Sequence, residues 1–395
     1  MTLTGLNTIS KLRVLLYLVL ASFVSCQSPV DNFSQTEAAP DETIVLPPLS
    51  KPEIHRIDSL LKRVLKNYRF NGNALVALNG YPIFRASGGF KDLHTEDTLN
   101  YNTAFQIASV SKTFTAMAVL MLSERGNFCL DDTVCYFIPE FPFTNVTIEH
   151  LLQHTSGMQN YMYYVDHQWN KDDPLTNEDV LQLINDNKPS LNFRPGRKHD
   201  YSNTGYTMLA LLVERVSGMP FHQFLEKNIF IPLQMDHTFA WNRAAIDTIT
   251  NIATGFRRRG WRYRQFDHNP LDEVVGDKSV YTTVDDLLKW DQALYTDVLI
   301  SDSLKAEAFT PVKTRRNRTY KYGYGWRLKE KYGKKVVYHN GLWNGFTSSL
   351  TRCVDDSLTI ILLNNTNAAV ASIVDQMHSV LEKELNSDEF IAKNK

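Results

Sequence analysis

Apolar side chains recur along residues 51–70, KPEIHRIDSLLKRVLKNYRF, at Ile54, Ile57, Leu61, Val64 and Leu65. This three-to-four spacing predicts an amphipathic helix with one buried face. The period then changes. NALVALNGYPIFRASGG, 73–89, reads as two strands around Asn79-Gly80, a dipeptide that favours a tight hairpin turn. From 109 to 125 the chain is apolar almost all round, which predicts a helix buried at a domain centre. Residues 128–300 hold short helical pieces joined by polar, Pro-containing connections. Strand patterns return in YGYGWRLKEK (322–331), KKVVYHNG (334–341), GFTSSLTRCV (345–354) and SLTIILLNN (357–365). AAVASIVDQMHSVLEKEL, 368–385, closes the pattern as an amphipathic helix.

Strands near both ends of the chain, with a helix before the first and after the last, predict a mixed α/β (α+β) fold. Its simplest form is one antiparallel sheet built from both termini and covered by the terminal helices, with the central residues as a helical lobe beside it. The domain is expected over 51–388, with 389–395 as a C-terminal tail.

The first fifty residues have a different character. Lys11 and Arg13 precede an apolar run at 14–24 that ends in Ser25 and Cys26. A basic start, a short apolar run and a small residue before the cut read as a secretory signal over 1–25. About 20 residues are needed to span a bilayer, so this run is too short for a membrane anchor. Two readings stay open, a plain signal peptide and a bacterial lipoprotein. In the second, FVSC resembles a lipobox with Cys26 lipidated, although Phe23 stands where Leu is commoner. The polar, Pro-rich stretch that follows, over 26–50, suits a disordered tether. The protein is then expected in an exported bacterial cell envelope, held to a membrane by an N-terminal lipid. Overall composition adds little: 43% hydrophobic, 22% charged and a formal net charge of −1 over 395 residues. That balance gives no support for a nucleic-acid partner. The oligomeric state is not legible.

The chemistry centres on FQIASVSKTF, 105–114. Ser109 and Lys112 are three apart, so on a helix they face the same side. In a first helical turn, free N–H groups and the helix dipole favour developing negative charge. A serine hydroxyl needs a base to take its proton. A lysine does so only where burial or nearby cations favour its neutral form. Further along, Tyr201 and Asn203 are two apart ahead of a helical run at 205–216, and point the same way. The tyrosine can relay a proton and the amide can hold a substrate carbonyl. In VVYHNGLWNG, 336–345, His339 and Gly341 end a strand, and the glycine would let substrate lie along its edge. The N–H groups of Ser109 and Leu342 can form an oxyanion hole worth about 3 kcal/mol per donor.

S-x-x-K, Y-x-N and H-x-G in this order resemble the serine β-lactamase and penicillin-binding-protein superfamily. The tyrosine-containing second motif is similar to the branch with class C β-lactamases, D-Ala-D-Ala carboxypeptidases, D-aminopeptidases and family VIII esterases. The likeness spans about residues 55–385 and includes LLQHTSGM (151–158), FRPGRKHDYSN (193–203) and YTTVDDLLKW (281–290). It implies a β-lactamase/transpeptidase-like fold and an acyl-enzyme on Ser109, with Lys112 as the base or one of two. Tyr201 would shuttle the proton and Asn203 bind the acyl-side amide. His339 would support Tyr201 or a substrate carboxylate, and Ser109 and Leu342 would supply the oxyanion N–H groups. No metal or organic cofactor is implied. Substrates would be D-amino-acid peptides, peptidoglycan fragments or small esters. His339 stands where β-lactamases mostly have lysine, which disfavours efficient β-lactam hydrolysis. The alternatives are a slow-acylating penicillin- or peptidoglycan-binding sensor and, more weakly, a true β-lactamase.

Other features carry less. His154 reads as a loop-shaping residue. His150 and His154 lack the carboxylate pattern of a zinc site. GFRRRGWRYRQF, 255–266, reads as a solvated hairpin turning at Gly260, or as a cleft rim that attracts anionic cell-wall fragments. Tyr161, Tyr163 and Tyr164 line a cleft mouth or pack a surface loop. Cys129 and Cys135 are close enough in sequence to pair, which would leave Cys353 free.

Overall fold

A computed structural model describes residues 49–170, 173–243, 249–260, 262–266 and 270–386. The signal segment, Cys26, nearly all of the tether and the tail at 389–395 lie outside the described residues. Helix α1 (Lys51–Asn67) starts at Ser50, whose N–H donates to Glu53 Oε2 at 2.7 Å, with a proline in its first turn. This is the reciprocal cap that satisfies otherwise unpaired amides. The face anticipated from the sequence is buried at Ile57, Leu61, Val64 and Leu65, while Ile54 is half-buried.

Strands β1 (Gly72–Leu78) and β2 (Tyr81–Gly88) turn at Asn79 and Gly80, with φ values of 48° and 79°. Positive φ at both turn residues is what a tight hairpin needs. The sheet is completed by β3 (Arg327–Lys331), β4 (Lys334–Trp343), β5 (Phe346–Cys353) and β6 (Leu358–Asn364). The six strands run β3-β4-β5-β6-β1-β2, antiparallel throughout, so the two ends of the chain meet where Gly72 pairs with Asn364.

Both faces are buried, and the strand alternation sorts the side chains between them. Ala74, Val76, Ile360 and Leu362 pack under α1 and the last helix, α4 (Val370–Leu385). Leu75, Ala77, Ile361 and Leu363 face the helical lobe. Two helices of that lobe matter for the site. Helix α2 (Ser111–Glu124) is buried from Ser111 through Leu122, and α3 (Asn203–Ser217) packs against it. The expected fold class is therefore the observed one. Cys129, Cys135 and Cys353 are unpaired, so the Cys129–Cys135 disulfide does not form. Among the described residues no helix is long and apolar enough to cross a membrane.

Candidate active site

Ser109 lies in a 3-10 turn, Ala108–Val110, that runs into α2, so the helix proper begins two residues later than the apolar pattern suggests. Ala108, directly before the serine, has φ 48°, a left-handed conformation that costs a non-glycine residue energy. Gly341 on β4 makes the turn possible. A Cβ there would lie 2.2 Å from Ile107 O and 2.3 Å from Ser348 Oγ. Its missing side chain thus faces the turn that presents Ser109, and close packing is what requires glycine.

Lys112 is completely buried. Its Nζ meets three oxygens: Ser109 Oγ at 3.2 Å, Asn203 Oδ1 at 2.9 Å and the Asp277 carbonyl at 2.6 Å. As an ammonium it donates to all three. As a neutral amine it donates to Asn203 and Asp277 and accepts from the serine hydroxyl. One geometry satisfies both forms, so a proton can pass from Ser109 to Lys112 without rearrangement. Because Asn203 Oδ1 is taken by Lys112, its Nδ2, 3.7 Å from Met162 Sδ, is the end available to a substrate carbonyl.

Tyr201 joins the same group. Lys112 Nζ lies 5.1 Å from its ring centroid, and the Arg327 guanidinium also 5.1 Å. Its hydroxyl is not hydrogen-bonded to Ser109 or Lys112 among the described residues.

Of the two roles anticipated for His339, the geometry bears against contact with a substrate carboxylate. It is fully buried, Nδ1 lies 2.9 Å from the Asn340 carbonyl, and Nε2 lies 3.3 Å from the Tyr322 hydroxyl. Neither ring nitrogen is left for a substrate carboxylate, and the ring centroid is 6.3 Å from that of Tyr201. The Tyr322 hydroxyl also meets His154 Nε2 at 3.0 Å, and His154 Nδ1 accepts from the Ser202 N–H at 3.3 Å. The partners fix the tautomers. His154 donates from Nε2 to Tyr322, His339 donates from Nδ1 to a carbonyl, and the Tyr322 hydroxyl lies between His339 Nε2 and the Tyr206 hydroxyl, either of which can accept its proton. Burial, then the Lys112 charge, holds both histidines well below the usual imidazole range, so both are neutral. His154 does shape its loop, at φ 56°, and its ring also packs 4.3 Å from that of Tyr201.

Residues 339–343 of β4 run past the end of β3, whose pairing stops at Arg327 with Tyr338. This leaves an open strand edge, and Leu342, at 70% exposure, sits on it. A cavity of about 510 Å³ is lined by Gln106, Asp272, Asn344 and the base of the arginine hairpin at Gly255, Gln265 and Phe266. The hairpin (Phe256–Arg259 and Arg262–Gln265) forms as expected, with Gly260 at φ 62°. Tyr161 does not line a cleft mouth. It is fully buried, and its hydroxyl donates to Asp277 Oδ2 at 3.2 Å. Tyr163 is exposed and Tyr164 buried.

Sequence reading missed Tyr322 and Arg327, which lie in a segment legible only as a strand, and Asp277, which contributes a backbone carbonyl that no side-chain pattern reveals.

Fold and site together place the chain in a known class: residues 57–379 match the Beta-lactamase family model, and the protein belongs to that family of serine acyl-enzyme hydrolases. Among curated proteins it is similar to Penicillin-binding protein 4* of Bacillus subtilis, 33% identical over 324 residues that cover 78% of this chain and 71% of the relative. The D-aminopeptidase of Brucella canis is 23% identical over 340 residues, covering 83% of this chain and 63% of that protein. A penicillin binding protein from Bacillus halodurans superposes with a TM-score of 0.71 at 25% identity, over 81% of this chain and 98% of that one. The D-amino acid amidase of Ochrobactrum anthropi shares the fold, with a TM-score of 0.70 at 20% identity over 83% and 99% of the two chains.

Proposed function

We propose that this protein is an exported serine hydrolase that forms an acyl-enzyme on Ser109 and cleaves an amide or ester in a D-amino-acid peptide, peptidoglycan fragment or small ester. The observation that carries this reading is the 3.2 Å contact between Ser109 Oγ and a buried Lys112 Nζ whose other two partners suit either protonation state. With Lys112 as the neutral amine, Ser109 Oγ attacks the substrate carbonyl carbon as its proton passes to Lys112 Nζ. The oxyanion is held by the N–H groups of Ser109 and Leu342, a contribution of about 3 kcal/mol each. Asn203 Nδ2 donates to the acyl-side amide carbonyl. Tyr201 carries the proton to the leaving amine or alcohol, and later takes one from the water that hydrolyses the ester to Ser109. His339 acts through Tyr322 rather than on substrate. No metal or organic cofactor enters these steps.

Similarity to proteins named D-aminopeptidase and D-amino acid amidase supports D-amino-acid substrates. A neutral His339 removes the charge that a lysine would offer a β-lactam carboxylate, which disfavours a true β-lactamase. We further propose cleavage of the 1–25 signal, lipidation at Cys26 and a tether holding the domain at the cell envelope. A second reading, a penicillin- or peptidoglycan-binding sensor that acylates and stalls, draws on the Tyr201 hydroxyl, which is not hydrogen-bonded to Ser109 or Lys112.

The test compares wild type with Ser109→Ala on a D-Ala-D-Ala peptide, a D-amino-acid amide, a p-nitrophenyl ester and a chromogenic cephalosporin. Turnover of at least one non-lactam substrate by wild type alone is expected. Adduct without turnover would favour the sensor, and equal activity of the two proteins would exclude Ser109 as nucleophile.

A further inference from the structure

A second buried lysine lies one residue from the carbonyl that holds Lys112. Residues 276–280 run against the nucleophile-bearing segment and make four contacts with it. Thr115 Oγ1 donates to Gly276 O at 2.7 Å, Lys112 Nζ to Asp277 O at 2.6 Å, Val280 N to Ser111 Oγ at 3.0 Å, and Ile107 N to Val280 O at 2.9 Å. The backbone of this strip is unusual. Gly276 has φ 95°, and a Cβ there would lie 2.4 Å from Tyr206 O. Ser279 has φ 79°, a left-handed conformation without a glycine. Something must hold the strip in place.

Lys278 is positioned to do so. Its side chain is 3% exposed, and its Nζ donates to the Tyr161 hydroxyl at 2.8 Å, to Val274 O at 3.3 Å and to Asp277 Oδ1 at 3.3 Å. Tyr161 closes the triangle by donating to Asp277 Oδ2 at 3.2 Å. The same ammonium lies 4.9 Å from the ring centroid of Trp343, which follows Leu342 on β4 and is anchored by Nε1 to Asp272 Oδ1 at 2.8 Å. A buried ion pair adds little net stability compared with apolar side chains of the same size. Stability alone is therefore a weak account of a charged pair directly behind the site.

We propose that Lys278 is a positioning residue for acylation: tied to Asp277 and Tyr161, it fixes the Asp277 carbonyl against Lys112 Nζ and seats Trp343 beside the strand end that carries Leu342. The inference rests on the acyl-enzyme reading of Ser109. It deepens that reading by naming what aligns the base with the nucleophile.

Lys278→Met alone would strand a buried carboxylate. The informative protein is the double variant Asp277→Asn with Lys278→Met, which removes both charges and keeps the backbone carbonyl. Stopped-flow acylation with a p-nitrophenyl ester gives the acylation rate constant and the saturation constant separately, and thermal unfolding is followed alongside. The double variant is expected to unfold cooperatively and keep its saturation constant, while acylation slows by at least about tenfold, as a misplaced reacting group would cause. A wild-type acylation rate in the double variant would overturn the inference and leave the pair a structural one. Tyr161→Phe, which keeps both charges, is measured in parallel in case the double variant does not fold. An unchanged acylation rate there overturns the inference equally. If wild type itself forms no adduct on Ser109, the proposed function falls and this inference with it.

Discussion

Both ring nitrogens of His339 have a polar partner, and the Tyr322 hydroxyl joins His339 to His154, whose Nδ1 accepts from the Ser202 N–H. Removing the middle hydroxyl leaves a donor and an acceptor unpaired in a dry interior. Tyr322→Phe is therefore expected to cost about 1–3 kcal/mol for each stranded nitrogen. It should also slow acylation, because the His154 ring packs against Tyr201. Urea unfolding and the acylation rate measured together check this, and an unchanged urea midpoint would show that the chain carries no energy. Much of the site at this scale was not legible in the sequence. Ser109 with Lys112, and Tyr201 with Asn203, were readable as two pairs by their short spacings, and only the family resemblance joined the pairs across 91 residues. Tyr322 was not, since it meets His154 across 168 residues and only the packed fold brings them into contact. Tyr161, left in the sequence between a cleft mouth and a surface loop, is instead fully buried, because nothing local signals that its hydroxyl finds Asp277 and Lys278.

At the level of elements, β4 and the turn before α2 act as a pair. Gly341 lets the strand approach Ile107 and Ala108, and the Ser348 hydroxyl on β5 donates to Ile107 O at 2.7 Å to lock that approach. Gly341→Ala places a methyl group inside the contact distance of backbone as well as side chain. Strand or turn must then shift, at a cost of about 1–3 kcal/mol as for other overpacked sites. Acylation is expected to fall by more than substrate binding does, and a variant with wild-type acylation would show that this approach does not position Ser109. The elements themselves were largely readable. Helices α1 and α4 and the hairpin at Asn79-Gly80 follow from period and turn chemistry, and the strands of the C-terminal half from short β patterns between turns. The left-handed Ala108 was not readable, because alanine gives no sign of positive φ. It explains why the expected helix from 109 opens as a 3-10 turn.

For the molecule as a whole, buried neutral histidines set a direction for acid stability. Burial and the Lys112 charge hold His154 and His339 well below the usual range, and burial lowers His378 to about 4. An unfolded chain takes up these protons below pH ~6.5 while the folded one refuses them. Stability then falls as pH drops, by up to about 1.4 kcal/mol per pH unit for each of His154 and His339. His378 contributes to the fall only down to about pH 4, where the folded protein also accepts its proton. The urea midpoint should be clearly lower at pH 5 than at pH 7, and equal midpoints would mean that these histidines are protonated in the folded protein. The central claim is more direct still: Ser109 is a nucleophile whose base is Lys112. Its decisive measurement is intact-mass and peptide-mapping analysis of wild type and Lys112→Ala after brief exposure to a p-nitrophenyl ester or a penicillin. The account predicts one acyl group on the peptide containing Ser109 in wild type and a far slower appearance of the same adduct in Lys112→Ala. An adduct on any other residue, or equal rates in the two proteins, would contradict it.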